Sequence, residues 1–184
     1  MRHRTTEELE AHLDHLRGAP KDVGTLALVV RRPAEDEREV LTEGMLDPEH
    51  GLVGDTWRLR GSSRTADGSA HPDMQLNVMS HRMVAFLAGD SARRPLAGDQ
   101  LYLDLDLSEA NLPPGTRLSV GGAVIEVTEV PHRGCAKFMA RFGEQALRFV
   151  NSSVGRELRL RGLNARVVTA GVIRPGDTVT KLDS

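Results

Sequence analysis

The spacing of apolar residues divides the chain into many short elements, most of them strands. Leu101-Tyr102-Leu103-Asp104-Leu105-Asp106-Leu107 is the clearest. Its four leucines repeat at a period of two and share one face, which leaves Tyr102, Asp104 and Asp106 on the other. The two aspartates read as a solvated strand face rather than a cation site, because a hard cation wants more oxygens than two. Thr25–Arg31 is apolar and β-branched, Glu39–Leu46 is a weaker strand candidate, and Met74–Met79 alternates. Thr116–Val120 and Ala123–Val130 form a hairpin across Gly121-Gly122, a good two-residue turn. Leu163–Ala170 and Thr178–Leu182 close the series, separated by the turn Arg174-Pro175-Gly176-Asp177.

Helical spacing is confined to a few places. Thr5 and Glu8 can form a capping box, and Leu9, Leu13 and Leu16 follow at helical intervals until Gly18 and Pro20 stop the run. His12 and His15 fall near one face of this helix. No further ligand follows in metal-site spacing, so they read as a solvated pair. Ser80 opens a short helix through Met83, Val84 and Leu87. Phe138, Phe142, Ala146 and Phe149 predict a helix over Ala136–Val150, which Val154–Arg161 extends or follows. The Gly- and Ser-rich stretch Gly61–Ala70 reads as a mobile loop or lid.

Many short strands with turn signals and few helices predict a mainly β fold with α insertions, a barrel or a sandwich. The predicted division is a helical extension over 1–22 and a β domain over 23–184. A chain of 184 residues with 39% hydrophobic and 27% charged residues suits one globular domain. The formal charge of −2 gives no global reason to bind nucleic acid or an acidic membrane. No apolar run approaches the ~20 residues of a membrane helix, and the N-terminus lacks a signal-peptide pattern. A single Cys rules out an intramolecular disulfide and suits a reducing compartment, so the expected location is the cytoplasm.

That cysteine is Cys135, in Val130-Pro131-His132-Arg133-Gly134-Cys135-Ala136-Lys137-Phe138. A strand ends before this segment and a helix begins at it. The helix start and the cations His132, Arg133 and Lys137 favour a thiolate, the form that attacks electrophiles or ligates a soft metal. Against this stands the ordinary fate of a free cysteine, a small buried hydrophobe. Gly-Asp recurs at Gly54-Asp55, Gly98-Asp99 and Gly176-Asp177 and reads as turn chemistry. Asp55 is accordingly expected to fix a turn, and Trp57 to pack in the core or at a rim.

Several segments, taken in order, carry a family resemblance. They are Gly51-Leu52-Val53-Gly54-Asp55, Ser108-Glu109-Ala110-Asn111-Leu112-Pro113-Pro114-Gly115, the hairpin Leu118–Ala123 with Glu126-Val127-Thr128, the loop Pro131-His132-Arg133-Gly134-Cys135, Gly162–Val167 and Gly171–Asp177. This ordered set resembles the MOSC domain family, named after the C-terminal part of molybdenum-cofactor sulfurases. Gly134 stands where proline is common in that family. Ala110 interrupts its Glu-Asn pair, and Ala70-His71-Pro72-Asp73-Met74-Gln75 is a worn version of its His-Gly-Gly region.

The resemblance implies a distorted β-barrel carrying molybdenum cofactor (molybdopterin), with Cys135 as the protein's ligand to molybdenum. It implies an oxidoreductase that reduces N-hydroxylated small molecules, supplied by a flavoprotein or ferredoxin-like electron donor. The alternative is a sulfur or cofactor carrier without turnover. On this reading Cys135 and His132 serve catalysis, His132 by orienting or protonating substrate. Arg133 and Lys137 contact the pterin phosphate or an oxo group, and Asn111 hydrogen-bonds cofactor or substrate. Arg166 adds positive charge at the barrel mouth, and His71 acts from the lid. Each of these residues also has an ordinary reading, as solvated rim, turn or surface.

Overall fold

The computed structural model describes residues 2–183. The chain opens with two short helices, α1 (Thr6–Ala11) and α2 (Leu13–Arg17), and the capping box between Thr5 and Glu8 is formed. Then follow β1 (Val23–Arg31), β2 (Glu39–Leu41), β3 (Gly44–Asp47), β4 (Gly51–Leu52) and β5 (Leu76–Ser80), which runs directly into α3 (His81–Ala88). β6 (Leu101–Asp104) precedes the hairpin of β7 (Arg117–Val120) and β8 (Ala123–Val127). Three helices come next, α4 (Ala136–Phe142), α5 (Glu144–Val150) and α6 (Ser153–Glu157), and the chain closes with β9 (Leu163–Thr169), β10 (Gly171–Ile173) and β11 (Thr178–Lys181).

Seven strands close into a barrel in the order β1-β6-β5-β9-β8-β7-β11, with β11 pairing back onto β1. Only the β5–β6 pair is parallel, because α3 and a 3₁₀ segment, Ser91–Ala97, make the crossover between them. β2 extends β1 outside the barrel, and β10, β3 and β4 form a separate small sheet. The mainly β expectation therefore holds. No helix among the described residues is long and apolar enough to cross a membrane.

There are two cores. The barrel interior holds Leu101, Leu103, Leu105 and Leu107 together, as their alternation predicts. The second core lies between the outer barrel wall and the helices, and joins Val30, Met79 and Tyr102 to Leu9, Met83, Phe138, Phe142 and Phe149. Tyr102 is thus fully buried rather than solvent-facing, because helices cover the face that a single-layer reading leaves to water. β6 also stops at Asp104, whose carboxylate accepts from Arg82 Nε at 2.6 Å, while Asp106 caps the following turn through Ser108 N–H.

Other boundaries shift for local reasons. The Glu39–Leu46 candidate breaks at Thr42-Glu43 into two strands of different sheets. The helix expected over Ala136–Val150 is two helices, since Gly143 adopts φ 94° and the N–H···O ladder restarts there. His12 is half-buried and stacks on the Phe86 ring at 3.9 Å, so of the His12/His15 pair only His15 is solvated. No group of three potential ligands suited to a metal ion occurs among the described residues.

Candidate functional site

A cavity of about 650 Å³ lies where the loop after β1, the turn after β4, the segment before β6 and the Cys135 loop meet. Cys135, His132 and Lys137 all line it. Cys135 is exposed and occupies the N-cap position of α4, with extended backbone at φ −128° and ψ 179°.

The loop carrying it is pinned from α5. Gly134 N–H donates to Asn151 Oδ1 at 3.1 Å, and Asn151 Nδ2 donates back to the Gly134 carbonyl at 3.2 Å. A Cβ on Gly134 would stand 2.7 Å from Leu147 Cδ1 and 3.0 Å from Val150 Cγ2. The glycine at this position packs closely on α5, where a side chain would require Leu147 and Val150 to shift, and its N–H is in use.

Two buried arginines form the cavity floor, each held by its own carboxylate. Arg32 forks onto Asp55, with Nε–Oδ2 and Nη2–Oδ1 both 2.8 Å, and its Nη1 donates to Asn77 Oδ1 at 2.9 Å. Asn77 Nδ2 donates to Asn164 Oδ1 at 2.7 Å, and Asn164 Nδ2 donates to the Val130 carbonyl at 2.9 Å. This relay ties Arg32 to the start of the Cys135 loop. Arg161 Nη1 donates to both oxygens of Asp99, at 2.9 and 2.7 Å, while His132 Nε2 meets Asp99 Oδ1 at 2.8 Å.

Asp99 is fully buried. Burial alone would raise its carboxyl pKa, but Arg161 and His132 hold it below the usual value. Burial, reinforced by Arg161, pushes the His132 imidazole below its ordinary range despite Asp99. His132 is therefore neutral at neutral pH. A carboxylate can only accept, so the proton sits on Nε2 and Nδ1 is left as an acceptor.

Six cations line the cavity: Arg32, Arg38, Arg60, Lys137, Arg141 and Arg161. Four carboxylates offset them. Asp55 and Asp99 pair with the floor arginines, and Glu35 and Asp36 pair with Lys137 and Arg141 at 3.2 to 3.3 Å. Arg38 and Arg60 have no carboxylate partner among the described residues. Burial, then Arg141 and Arg32 nearby, push the Arg38 guanidinium below its usual range. Arg38 Nε and Arg161 Nε are buried without a hydrogen-bond partner. Two surplus charges and two unsatisfied donors beside a thiol form a site prepared for an anion of about two charges.

The other residues singled out in the sequence fall elsewhere. His71 lines an adjoining cavity of about 290 Å³ that shares Arg60, Gly61, Asn77 and His132 with the first. Trp57 borders the same space, and its Nε1 donates to the His71 carbonyl at 3.2 Å. Arg133 turns away from Cys135 and lines a third cavity on the far side of the loop. Asn111 is buried in a turn, where Nδ2 donates to the Lys21 and Asp106 carbonyls, both at 2.8 Å. Arg166 is exposed on β9 and pairs with Glu126 at 2.7 Å, because its position in the strand alternation points away from the barrel interior. Asn111 and Arg166 line none of these three cavities.

Arg32, Asn77, Asn151 and Arg161 escape a sequence reading, and Asp99 is legible only as the turn residue of a Gly-Asp pair. A buried charged or amide residue carries no local mark, since such residues are usually solvated.

A family model described as MOSC domain matches residues 65–180. A search of curated protein sequences finds no significant match. Among solved structures the chain resembles the YuaD protein from Bacillus subtilis at 13% identity and TM-score 0.59, over 85% of this chain and 94% of that one. It also resembles YiiM from Escherichia coli at 20% identity and TM-score 0.56, over 87% and 70%. For YiiM from Geobacillus stearothermophilus the values are 14% and 0.50, over 90% and 75%. At such identities the likeness extends to the fold alone.

Proposed function

The chain belongs to the MOSC domain family, and from that premise we propose that the cavity at Cys135 holds molybdenum cofactor and reduces N-hydroxylated small molecules. One observation carries the reading. A single exposed thiol and two cations without carboxylate partners share one cavity of about 650 Å³. The residues fit the group. A pterin phosphate brings close to two negative charges, which match the surplus at Arg38 and Arg60, and the thiolate of Cys135 is a soft ligand for the metal.

When bound, the cofactor supplies two-electron redox chemistry. The chain supplies the rest. Cys135 would be the ligand, and Arg38 and Arg60 would hold the phosphate, with Lys137 at the rim beside Glu35 and Asp36. The Asp55–Arg32 and Asp99–Arg161 pairs keep the floor rigid. Reduction of an N-hydroxyl group takes two electrons and two protons; the N–O bond breaks and the oxygen leaves as water. Neutral His132 takes up a proton at Nδ1 from solvent and can release it to that oxygen, with Asp99 holding the ring through Nε2. The electrons come from an external donor, a flavoprotein or ferredoxin-like protein.

Protein purified from a molybdate-fed host should contain molybdenum near stoichiometry, and Cys135→Ser should lose it. Metal-free protein that also fails to take up added cofactor overturns the reading. The exposure of Cys135 favours one other role, a carrier that hands sulfur or cofactor to a client. A reducible mass gain of about 32 Da on Cys135 would identify the persulfide form.

A further inference from the structure

The cavity lined by Arg133 lies back to back with the cofactor cavity, and His132 and Arg161 belong to both. It measures about 250 Å³, below the ~300–1,000 Å³ of a site for a drug-sized ligand. Arg133 lines it from the Cys135 loop, Arg156 from α6 and Arg159 from the turn that follows α6, and none forms an ion pair among the described residues. Arg133 and Arg156 are exposed and make no side-chain hydrogen bond among those residues.

Arg159 is half-buried. Its backbone adopts φ 47°, a region that side-chain-bearing residues rarely occupy. Its Nη1 is fixed on the Leu112 carbonyl at 2.6 Å, and burial holds the guanidinium below its usual range even with Glu109 near. Glu109 and Glu129 also line the cavity and are exposed acceptors.

We propose that this second cavity binds a small carboxylate or phosphate that also carries a hydrogen-bond donor. Three guanidinium groups share one concave space with two carboxylates, Glu109 and Glu129, which leaves a net positive charge; two of the three have no protein acceptor, and planar forks suit carboxylate and phosphate oxygens. The two glutamates select for a ligand with a hydroxyl or ammonium beside its anionic group and disfavour a bare polyanion. The limited volume excludes the pterin itself. A ligand here touches His132 from the side opposite the cofactor, so the site gives a small metabolite access to the ring that the proposed reaction uses. The binding claim does not depend on what fills the larger cavity.

Malate and inorganic phosphate are the probes, titrated calorimetrically and by the amide resonance of Gly155, which lines this cavity and not the larger one. At least one should bind saturably and shift Gly155. Arg133→Ser and Arg156→Ser should each weaken the affinity read at Gly155 at least tenfold, which is about 1.4 kcal/mol, while Arg60→Ser, which alters only the larger cavity, should leave the affinity read at Gly155 within threefold. Both cavity variants remove only exposed side chains, so their folding is not at issue, and the amide spectrum checks it. Any other pattern overturns the proposal. That includes no binding by either probe, and binding lost in Arg60→Ser, which would place the anion in the cofactor cavity.

Discussion

Asp99→Asn tests the electrostatic design of the site most directly. The carboxylate is fully buried, takes both of its oxygens to Arg161 at 2.7 and 2.9 Å, and meets His132 at 2.8 Å. Asparagine keeps the shape and one acceptor oxygen but removes the charge and turns an NH₂ group toward donors. Arg161, about 6% exposed, is then left as a buried cation with only neutral acceptors, the new amide oxygen and the Ala97 carbonyl at 3.1 Å. Breaking one side of a buried pair costs about 3–5 kcal/mol, against about 5–15 kcal/mol for a whole domain. At about 2–4 °C per kcal/mol for a chain of this size, the melting temperature should fall by roughly 10 °C. Thermal and urea unfolding followed by circular dichroism at pH 7 measure it. Removing both charges with Asp99→Leu and Arg161→Met should be less damaging than adding the two single losses, because no unpaired ion remains. A loss below about 1 kcal/mol for Asp99→Asn, or strict additivity in the double variant, would refute the account.

Two further outcomes follow from the same geometry. His132 sits below its ordinary pKa in the folded chain, because burial and then Arg161 disfavour the imidazolium. The unfolded chain binds its proton near pH 6.5, so stability is complete above about 6.5 and falls as the pH drops below it, by up to about 1.4 kcal/mol per pH unit. Urea midpoints between pH 7.5 and 5.5 should show this slope, and His132→Asn should reduce it by one proton. Asn151→Leu removes the two hydrogen bonds that clamp Gly134, which costs about 1–3 kcal/mol, and should speed both hydrogen exchange at the Gly134 amide and alkylation of Cys135. Gly134→Pro should be worse, since it deletes the donor to Asn151 and drives atoms into Leu147 and Val150; unchanged alkylation kinetics in both variants would disprove the clamp.

What the sequence makes legible here is what is local. The Thr5–Glu8 capping box, the four inward leucines ending at Leu107 and the Gly121-Gly122 hairpin rest on contacts a few residues apart, and each is found as read. Tyr102 fails because its burial depends on helices from both ends of the chain. β4 escapes a sequence reading, since two residues carry no measurable period. The same division runs through the site. Cys135, His132 and Lys137 are neighbours in sequence, at the junction of one loop with α4, and are legible together. Their electrostatic partners come from far along the chain, Asp99 thirty-three residues from His132 and sixty-two from Arg161.

The recurring Gly-Asp pairs show how a local reading can be sound and still incomplete. All three aspartates lie at turns. Asp55 accepts from Trp57 N–H at 2.9 Å, and Asp177 accepts from Arg174 N–H at 2.7 Å, as turn chemistry requires. Yet the first two are also the counter-ions of the two buried arginines on the cavity floor. A turn is where a chain can bring an aspartate inward without interrupting a strand, and the closed barrel places the ends of β1 and β6 side by side. The turn fixes the carboxylate, the carboxylate fixes the arginine, and the arginines set the field in which Cys135 and His132 operate. Replacing Asp55 should therefore disturb the cavity as well as the turn. The turn role requires only one acceptor atom near Trp57 N–H, which asparagine would retain; the charge on Arg32 requires the carboxylate.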